Sequence, residues 1–478
     1  MKLWHIEEMM RNDLEKLTKE GLIELVLKQS QRLTELEEQL SKMSVELEKL
    51  RQEQSGPGKP PPTSKNSSQA PSRDQKPNKT SDKHKRKHGR GFGHTKAERQ
   101  WVAEPDEVLA LKVEHCPSCQ HDLQSAEERL VAINQITELP EPKAKVIEVR
   151  QYEVQCPGCG QSHLAEPPAG LEMERVFGSR LEATIVYYRH QQHLSYERTQ
   201  KAMQDLHGVG LSQGAINRIM ARAGRAAKEE LEAIETAVRQ SAVVNSDETG
   251  VRVAGRTWWH WVFCTLTAVL HVIKPSRAAS VIDTVMIDSQ VEVWGSDCLP
   301  AQLKAERLHR QICLAHQLRD LQRVIDQYPQ GWWAGAMQTL FRAAIALHHR
   351  RDQLSPEHFQ VQRQRLEHLC DWLLSRSPPQ VEALKLQKRY LKHRQHLFVF
   401  LYRTDLDPTN NVAERALRPA VIHRKVTNGF RSQWGAEAYT SLASVIDTAK
   451  LHDQSPFEAI QHLFPHPALP LPVQRPCM

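Results

Sequence analysis

Three carboxylates stand in sequence contexts where they could bind a divalent metal ion. Asp247 lies near the end of the β-rich run VVNSDETGVRV, and Asp297 ends the short run VEVWGSD. Acidic side chains at strand ends of a mixed α/β fold are a common setting for metal carboxylates. Glu414 lies in the helical run NNVAERALRP, and we expect it to face back toward the two aspartates. One such aspartate usually forms only a turn or a cap, so the argument rests on the three together.

Four cysteines form two Cys-x-x-Cys pairs, at Cys116 and Cys119 and at Cys156 and Cys159. Each pair places two thiolates on one side of a tight turn, and two pairs complete a tetrahedral shell for one structural Zn²⁺. The runs LVAINQITELP and KVIEVRQYEVQC between them alternate like strands, which predicts a zinc ribbon. The gap of 36 residues is longer than in a compact finger. Unmetallated cysteines or a redox pair are the alternatives, and no βαβ context favours the latter.

The elements around the acidic residues predict a mixed α/β core. Three consecutive strand-like runs (VVNSDETGVRV, TWWHWVFCTLT and AVLHVIKPSR) precede a helix (AASVIDTVM) and the strand with Asp297. This is the order of an RNase H-like fold, in which the first two acidic residues lie on adjacent central strands. Glu248 is the nearest alternative ligand, but strand alternation places it on the opposite face from Asp247. The chain is then helical from 321 to 405, which predicts an all-helical insertion.

The region before the core predicts an oligomer and contacts with a polyanion. Residues 22–50 place apolar side chains at alternating spacings of four and three, with only Gln29 polar, which is typical of a left-handed coiled coil. A helix packed on its own chain is the alternative. Residues 55–100 hold 12 Lys/Arg and 3 Asp/Glu, whereas the formal net charge of the whole chain is +7. This Pro- and Ser-rich segment predicts a disordered basic linker, with nucleic-acid contacts from Lys85, Arg86, Lys87 and Arg90.

A helical region follows the cysteine pairs. The run SYERTQKAMQDL, a Gly-containing turn and a second helix capped by Ser212 fit a helix-turn-helix. Its second helix would present Gln213, Asn217 and Arg218 near its start, where DNA-reading residues normally lie. A plain helical hairpin is the competing interpretation.

Further polar and aromatic residues have two interpretations each. The basic residues that follow Glu414 could contact phosphates or form a solvated face, and we favour phosphate contacts; they are Arg418, Arg424, Lys425 and Arg431. Cys313 and His316 could bind a metal ion, but a packing cluster is the better interpretation. Packing within the sheet is also favoured over base stacking for Trp258, Trp259 and Trp261.

Composition excludes several classes of protein. The chain has 478 residues, of which 40% are hydrophobic, so it can bury a sizeable core. The longest apolar run, at 258–273, is shorter than the ~20 residues of a membrane span. The N-terminus lacks the apolar core of a signal peptide. Nine cysteines do not suggest a disulfide framework, so we expect a reducing, cytoplasmic location.

These features together define a multidomain α+β protein. We predict an N-terminal helix and coiled coil (1–53), a disordered basic linker (54–100), a zinc ribbon (101–170) and a helix-turn-helix-like domain (171–240). The RNase H-like core then spans 241–320 and 406–455 on either side of the helical insertion (321–405), and a C-terminal tail covers 456–478.

In this order the motifs resemble those of bacterial transposases of the insertion-sequence-66 family. The matching elements are the leucine heptad, NSSQAPSRD at 66–74, the paired CPxC turns, LSYER, GVGLSQGAI, NSDETGVRV, GSDC, ICLAHQLRDL and TNNVAERALRP with HRKVTNGFRS. They cover nearly the whole chain and are specific together, although each alone would be weak. The sequence departs from the family pattern in the loosened Pro-Ser run QAPSRD and in its Pro-rich last residues.

The resemblance implies a catalytic Asp-Asp-Glu set, carried here by Asp247, Asp297 and Glu414. It implies cleavage at the ends of a mobile element and transfer of the 3′-hydroxyl ends to target DNA, with two Mg²⁺ or Mn²⁺ ions bound by these carboxylates. The implied partners are DNA at the terminal repeats and the target, a second copy of the chain and accessory proteins of the same element, with a nucleoid-associated location. A DNA-binding regulator that kept the fold without the chemistry is the alternative.

Overall fold

The computed structural model describes residues 18, 31–32, 62–63, 65–67, 101–139, 144–304 and 309–465. The chain forms two compact units. We call Met1–Asp74 with Glu292–Asn410 the helical unit and Gln75–Val291 with Asn411–Met478 the sheet unit. Almost all of the heptad, and the basic residues Lys85, Arg86, Lys87 and Arg90, fall outside the described residues.

The cysteine region of the sheet unit contains one short antiparallel strand pair. Strand β1 (Glu153–Gln155) pairs with β2 (Ser162–Leu164) around the second cysteine pair. At the first pair there is only a single antiparallel bridge between His115 and Asp122. Of the two strand-like runs predicted between the pairs, the first is wrong: residues 130–139 form no strand, and their side chains are almost all exposed. The second forms a strand only near its end, where β1 lies. A stable strand pair needs an apolar face to bury, and residues 130–139 have none within reach.

Four helices follow in the sheet unit: α1 (Ser179–His190), α2 (Tyr196–His207), α3 (Gln213–Glu229) and α4 (Leu231–Gln240). The Ser195 and Ser212 side chains cap α2 and α3 by accepting hydrogen bonds from backbone N–H groups. Gly208 ends α2 at a φ of 65°, a left-handed conformation that glycine adopts without strain. The two predicted helices and their connecting turn are confirmed.

Three antiparallel strands then form the sheet of this unit: β3 (Val243–Val253), β4 (Arg256–Cys264) and β5 (Val269–Lys274), with β4 in the middle. Ala254 and Gly255 both have positive φ, as in a type I′ hairpin turn. Because this turn begins seven residues after Asp247, pairing continues well past that residue. Asp247 therefore lies mid-strand, and its predicted place near a strand end is wrong. Helix α5 (Ala279–Val285) follows, as predicted.

The second segment of the helical unit, Glu292–Asn410, begins with two parallel strands, β6 (Val293–Ser296) and β7 (His309–Ile312), with helix α6 (Pro300–Lys304) between them. The helices α7 (Leu314–Gln327), α8 (Trp332–His349), α9 (Pro356–Leu374) and α10 (Val381–Lys392) follow. Their interior is aromatic: the buried Trp333 ring stacks on Tyr390 at 6.3 Å. The predicted helical character of residues 321–405 is confirmed, with short 3-10 turns near its end.

The chain returns to the sheet unit for α11 (Asn411–Thr427), α12 (Gln433–Leu451) and α13 (Pro456–His462). Helix α12 packs on α3 and β5, and α13 packs on α1. Ile460 and Phe464 are buried in the core that α1 and α3 share, so the predicted tail is wrong for its first residues. No helix in the described ranges is long and apolar enough to cross a membrane.

Candidate active site

Asp247 lies on the face of the sheet that α11 covers. Its antiparallel partner in β4 is Val262, and directly opposed residues of two strands project to the same side of a sheet. Val262 is fully buried, in a cluster with Ala413 and Leu417 of α11. The Asp247 side chain is half-buried, and its Oδ1 accepts the backbone N–H of Glu248 at 2.9 Å.

Glu414 enters this face on the first turn of α11. Glu414 follows Ala413 directly and precedes Leu417 by three residues. Because Ala413 and Leu417 pack with Val262, they hold the helical turn that carries Glu414 against the sheet. The Glu414 side chain is half-buried. Within the sheet unit, the helix that carries Glu414 therefore lies on the face of β3 and β4 to which Asp247 belongs.

Asp297 follows directly after β6 in the helical unit. Its Oδ1 accepts the backbone N–H of Leu299 at 2.8 Å, and its carbonyl oxygen accepts the Ser296 hydroxyl at 3.0 Å. These bonds form the turn that leads into α6, which is an ordinary structural task for an aspartate. The predicted place of Asp297 at the end of a strand is confirmed.

Glu248 has a different partner from Asp247. The Arg277 guanidinium donates two hydrogen bonds to Glu248 Oε1, at 3.1 and 2.9 Å, and lies over the Trp259 ring at 4.5 Å. The Glu248 carboxylate is almost fully buried in this ion pair. Trp261 is also fully buried and donates its indole N–H to Ser276. The aromatic residues of β4 thus serve packing, as expected, and Glu248 has a structural role.

The basic residues of the α11 region divide into two groups. The Arg424 guanidinium donates to the Gly250 carbonyl and, at 3.3 Å, to the Thr249 hydroxyl, so it fastens α11 to β3. Arg418, Lys425 and Arg431 are exposed, which is compatible with phosphate contacts. Cys313 is buried just before α7, where its sulfur accepts the backbone N–H of Asn410 at 3.1 Å; His316 lies on the first turn of that helix.

The predicted DNA-reading residues lie at the start of α3. Gln213, Asn217 and Arg218 are exposed, and the Tyr196 hydroxyl donates to Asn217 Oδ1 at 3.0 Å. Arg218 lines a cleft of about 310 Å³ together with Arg175 and other residues.

Two arginines of this cleft are held by a buried acid. The Glu182 side chain is fully buried and accepts ion pairs from Arg175, at 2.8 Å, and from Arg222. An unpaired carboxylate would be costly there, and the two guanidinium groups offset that cost. The ion pair between Glu182 and Arg222 connects α1 to α3 and so holds α3 in place beneath its exposed surface.

The two cysteine turns have the same local geometry. In each, the first cysteine accepts a backbone N–H four residues later: Gln120 to the Cys116 carbonyl and Gly160 to the Cys156 carbonyl, both at 2.8 Å. Backbone N–H groups within the turns, first that of the second cysteine, lower the pKa of the Cys116 and Cys156 thiols. A lowered pKa favours the thiolate that a metal ion requires.

Each turn prepares half of a tetrahedral ligand set. Among the described residues, no three of the four sulfur atoms lie within 4.8 Å of one another. The donor chemistry and the turn geometry fit Zn²⁺, and the two turns would have to meet to complete its shell.

A buried histidine network was not foreseen from the sequence. His260 Nε2 lies 2.9 Å from His271 Nδ1, and His271 Nε2 lies 3.0 Å from Asp447 Oδ2. His190 stacks on Tyr439 at 4.5 Å beside them. Burial lowers the pKa of His190 to about 4, so this imidazole is neutral at pH 7. The sequence signal was weak, because His260 and His271 simply alternate with apolar residues in β4 and β5.

Comparison with known protein families identifies the chain. The model of the transposase IS66 family matches residues 174–438, which is more than half of the chain. The chain belongs to the IS66 family of transposases. The zinc-finger binding domain of transposase IS66 matches residues 114–160, which include both cysteine turns. A comparison with curated proteins gave no significant match.

Membership of the IS66 family agrees with the architecture. The family match includes Asp247, Asp297 and Glu414, together with α3 and its exposed first turns. An IS66 transposase binds DNA, and the zinc-finger match supports zinc binding by Cys116 and its partners. The mixed α/β character of this IS66-family chain is confirmed by its helices and by its antiparallel and parallel strands.

Proposed function

We propose that this IS66-family transposase cleaves phosphodiester bonds at the ends of its mobile element and joins the freed 3′-hydroxyl ends to target DNA. Asp247, Asp297 and Glu414 are the carboxylates that carry the reaction. The observation that supports this most is the packing of α11: Val262, the register partner of Asp247, contacts the residues that flank Glu414. An RNase H-like core is the fold that we propose for this arrangement.

The three carboxylates suit hard divalent ions. Carboxylate oxygens are the ligands that Mg²⁺ prefers, and all three side chains are only partly buried, so an ion could reach them. When bound, two Mg²⁺ ions would stabilise the negative charge that develops on the attacking and leaving oxygens. Asp247, Asp297 and Glu414 would supply the carboxylate oxygens that hold these ions.

The chain's own contribution is to orient the carboxylates. The Glu248 N–H fixes one oxygen of Asp247, and the Leu299 N–H fixes one oxygen of Asp297. Arg424 holds the far end of α11 on β3 and so limits the movement of Glu414. Held side chains lose less entropy on binding an ion or a substrate, which raises the effective concentration of the reacting groups.

The reaction proceeds by two displacements at phosphorus. In the first, a water oxygen attacks the phosphorus at the element end and the 3′ oxygen leaves as a hydroxyl. In the second, that 3′-hydroxyl attacks a phosphorus of the target DNA, and the 3′ oxygen of the target strand leaves. Neither step needs a covalent bond between protein and DNA.

The remaining domains would hold the DNA. We assign recognition of the terminal repeats to the zinc domain and to Gln213, Asn217 and Arg218 on α3. The basic segment would add affinity that falls as salt rises. The heptad would pair two protomers, because two element ends must be held in one assembly. Accessory proteins encoded beside the transposase would complete that assembly.

A nicking and joining assay tests the proposal. Purified full-length protein is mixed with Mg²⁺ and DNA carrying the element ends, and Asp247→Asn is compared with Asp283→Asn. Asp283 is an exposed carboxylate on α5 of the same unit and serves as the control. We expect cleavage at the element boundary by the wild type and by Asp283→Asn, and binding without cleavage by Asp247→Asn.

Two outcomes would contradict the proposal. Wild-type cleavage by Asp247→Asn would remove that residue from the site. Binding without cleavage by the wild type, with either Mg²⁺ or Mn²⁺ and with the accessory proteins added, would favour a DNA-binding regulator that retained the fold.

A further inference from the structure

A short turn in the N-terminal segment has defined contacts within the helical unit. The backbone N–H of Asn66 donates to the Thr63 carbonyl at 3.3 Å, and the Thr63 N–H donates to Asn66 Oδ1 at 2.7 Å. The Ser67 hydroxyl donates to the same Thr63 carbonyl at 2.6 Å. This turn lies inside the segment that composition predicts to be a disordered linker, so that prediction is wrong for residues 62–63 and 65–67.

The turn docks on helix α7. Asn66 Nδ2 donates to Asp326 Oδ2 at 2.9 Å, and the Arg323 guanidinium donates to the Asn66 carbonyl at 3.0 Å. Asn66 is only 2% exposed, whereas the two helix residues that it contacts are exposed on their own helix. A polar residue so deeply buried needs its hydrogen bonds satisfied, and these contacts do so.

The surface on α7 is itself held in place. Gln322 donates to the second oxygen of Asp326 at 2.8 Å. Asp320 lies 3.7 Å from Arg323 and 2.6 Å from Arg389 of α10. The acceptor and the donor that meet Asn66 therefore each have a further partner in the helical unit, which lowers the entropy cost of receiving the turn.

Only asparagine satisfies both sides of this contact. Its Oδ1 accepts a backbone N–H inside the turn, while its Nδ2 donates to a carboxylate on the helix. Aspartate has nearly the same shape but would place a second carboxylate oxygen against Asp326, without a proton between them. The residue type thus matches an acidic acceptor on α7.

We propose that residues 62–63 and 65–67 form a docking motif that fastens the N-terminal segment to α7 of the same chain. The motif stands between the heptad and the basic cluster: Pro62 follows Leu50 by 12 positions, and Lys85 follows Ser67 by 18. At ~3.5 Å per extended residue, docking confines them to within about 42 and 63 Å of the α7 surface, respectively. The segments for protomer pairing and DNA contact are thereby tied to the helical unit. This use of the motif rests on the proposed function, whereas the docking contact does not.

Hydrogen–deuterium exchange on the full-length chain tests the contact. The variants are Asn66→Asp, Asp326→Asn, the double variant Asn66→Asp/Asp326→Asn, and Lys65→Ala as an exposed control in the same turn. Hydrogen bonds to charged groups contribute ~1.5–3 kcal/mol, so Asn66→Asp should speed exchange of the Thr63 and Asn66 amides by about tenfold or more. The double variant restores a donor opposite an acceptor and should return exchange toward the wild-type rate. Lys65→Ala should leave it unchanged.

Equal exchange in wild type and Asn66→Asp, or no recovery in the double variant, would overturn the docking motif. Protection that rises with protein concentration would assign the contact to a second copy of the chain and overturn docking within one chain. Because exchange is measured without DNA, its result does not depend on whether the chain cleaves. If the cleavage assay failed while the Thr63 and Asn66 amides stayed protected from exchange, only the proposed function would be contradicted.

Discussion

The close approach of α3 to α12 gives a sharp prediction for Gly224. A Cβ atom added at Gly224 would lie 2.4 Å from Ala438 Cβ and 3.0 Å from Ala438 Cα on α12. Carbon atoms in contact normally lie ~3.5–4.0 Å apart, so the two helices would have to separate by about 1.1–1.6 Å. Alanine has no rotamer by which it could turn away. We expect Gly224→Ala to destabilise the sheet unit.

Two opposing effects set the size of the change. Alanine in place of glycine within a helix stabilises it by roughly 0.5–1 kcal/mol. Overpacking a core costs typically ~1–3 kcal/mol, and a rigid neighbour places this site toward the upper end. The net loss is therefore about 1–2 kcal/mol. At ~2–4 °C per kcal/mol, the midpoint of thermal unfolding should fall by about 2–8 °C.

Calorimetry on the full chain with two matched variants separates these effects. Gly335 lies in α8, where an added Cβ would meet nothing within 4 Å, so Gly335→Ala should show only the helix gain. Gly224→Ala/Ala438→Gly removes the opposing Cβ and should recover part of the lost stability, because the 3.0 Å contact with the Cα of residue 438 remains. A midpoint for Gly224→Ala that rises as it does for Gly335→Ala would refute the close contact of α3 with α12.

Four further predictions concern the metal, the protons and the assembly. One Zn²⁺ should copurify with each chain and be lost in Cys116→Ser, as measured by atomic emission; a folded, zinc-free wild type would contradict this. The unfolded form of His190 takes up a proton near pH 6.5, but its buried imidazole does so only near pH 4. The free energy of unfolding should therefore decrease as the pH is lowered from 6.5 to about 4. Urea midpoints should show a smaller decrease for His190→Gln than for the wild type. Glu248→Gln should cost about 1–3 kcal/mol of unfolding free energy, because Arg277 loses its charged partner; an unchanged urea midpoint would argue against the buried pair. Deleting residues 1–52 should give monomers by light scattering, and an unchanged mass would mean that the heptad packs internally.

Local patterns in the sequence were sufficient for most secondary structure of the core. Alternation of apolar residues predicts β3, β4 and β5, and Ser195, Ser212 and Gly208 mark helix ends by their own hydrogen-bonding and backbone properties. These signals act within a few residues of the chain. They are therefore visible before any tertiary contact forms.

Predictions went wrong where distant contacts decide the outcome. The alternating runs between the cysteine turns lack a partner surface, so no long strand forms there. Residues 456–462 follow a Ser cap and become a helix because α1 offers an apolar surface for Ile460. The turn at Asn66 is ordered by α7, some 260 residues away along the chain. The composition of a segment does not reveal its contacts with distant parts of the chain.

The candidate site shows the same division between local and tertiary information. The sequence by itself determined which residues could do chemistry: the carboxylates, the paired cysteines and the order of motifs that marks the IS66 family. Only the tertiary structure decided that α11, which carries Glu414, lies on the Asp247 face, where Ala413 and Leu417 pack with Val262. The reason is physical: residue type sets what a side chain can donate or accept, whereas burial of apolar surface between distant segments sets which side chains meet.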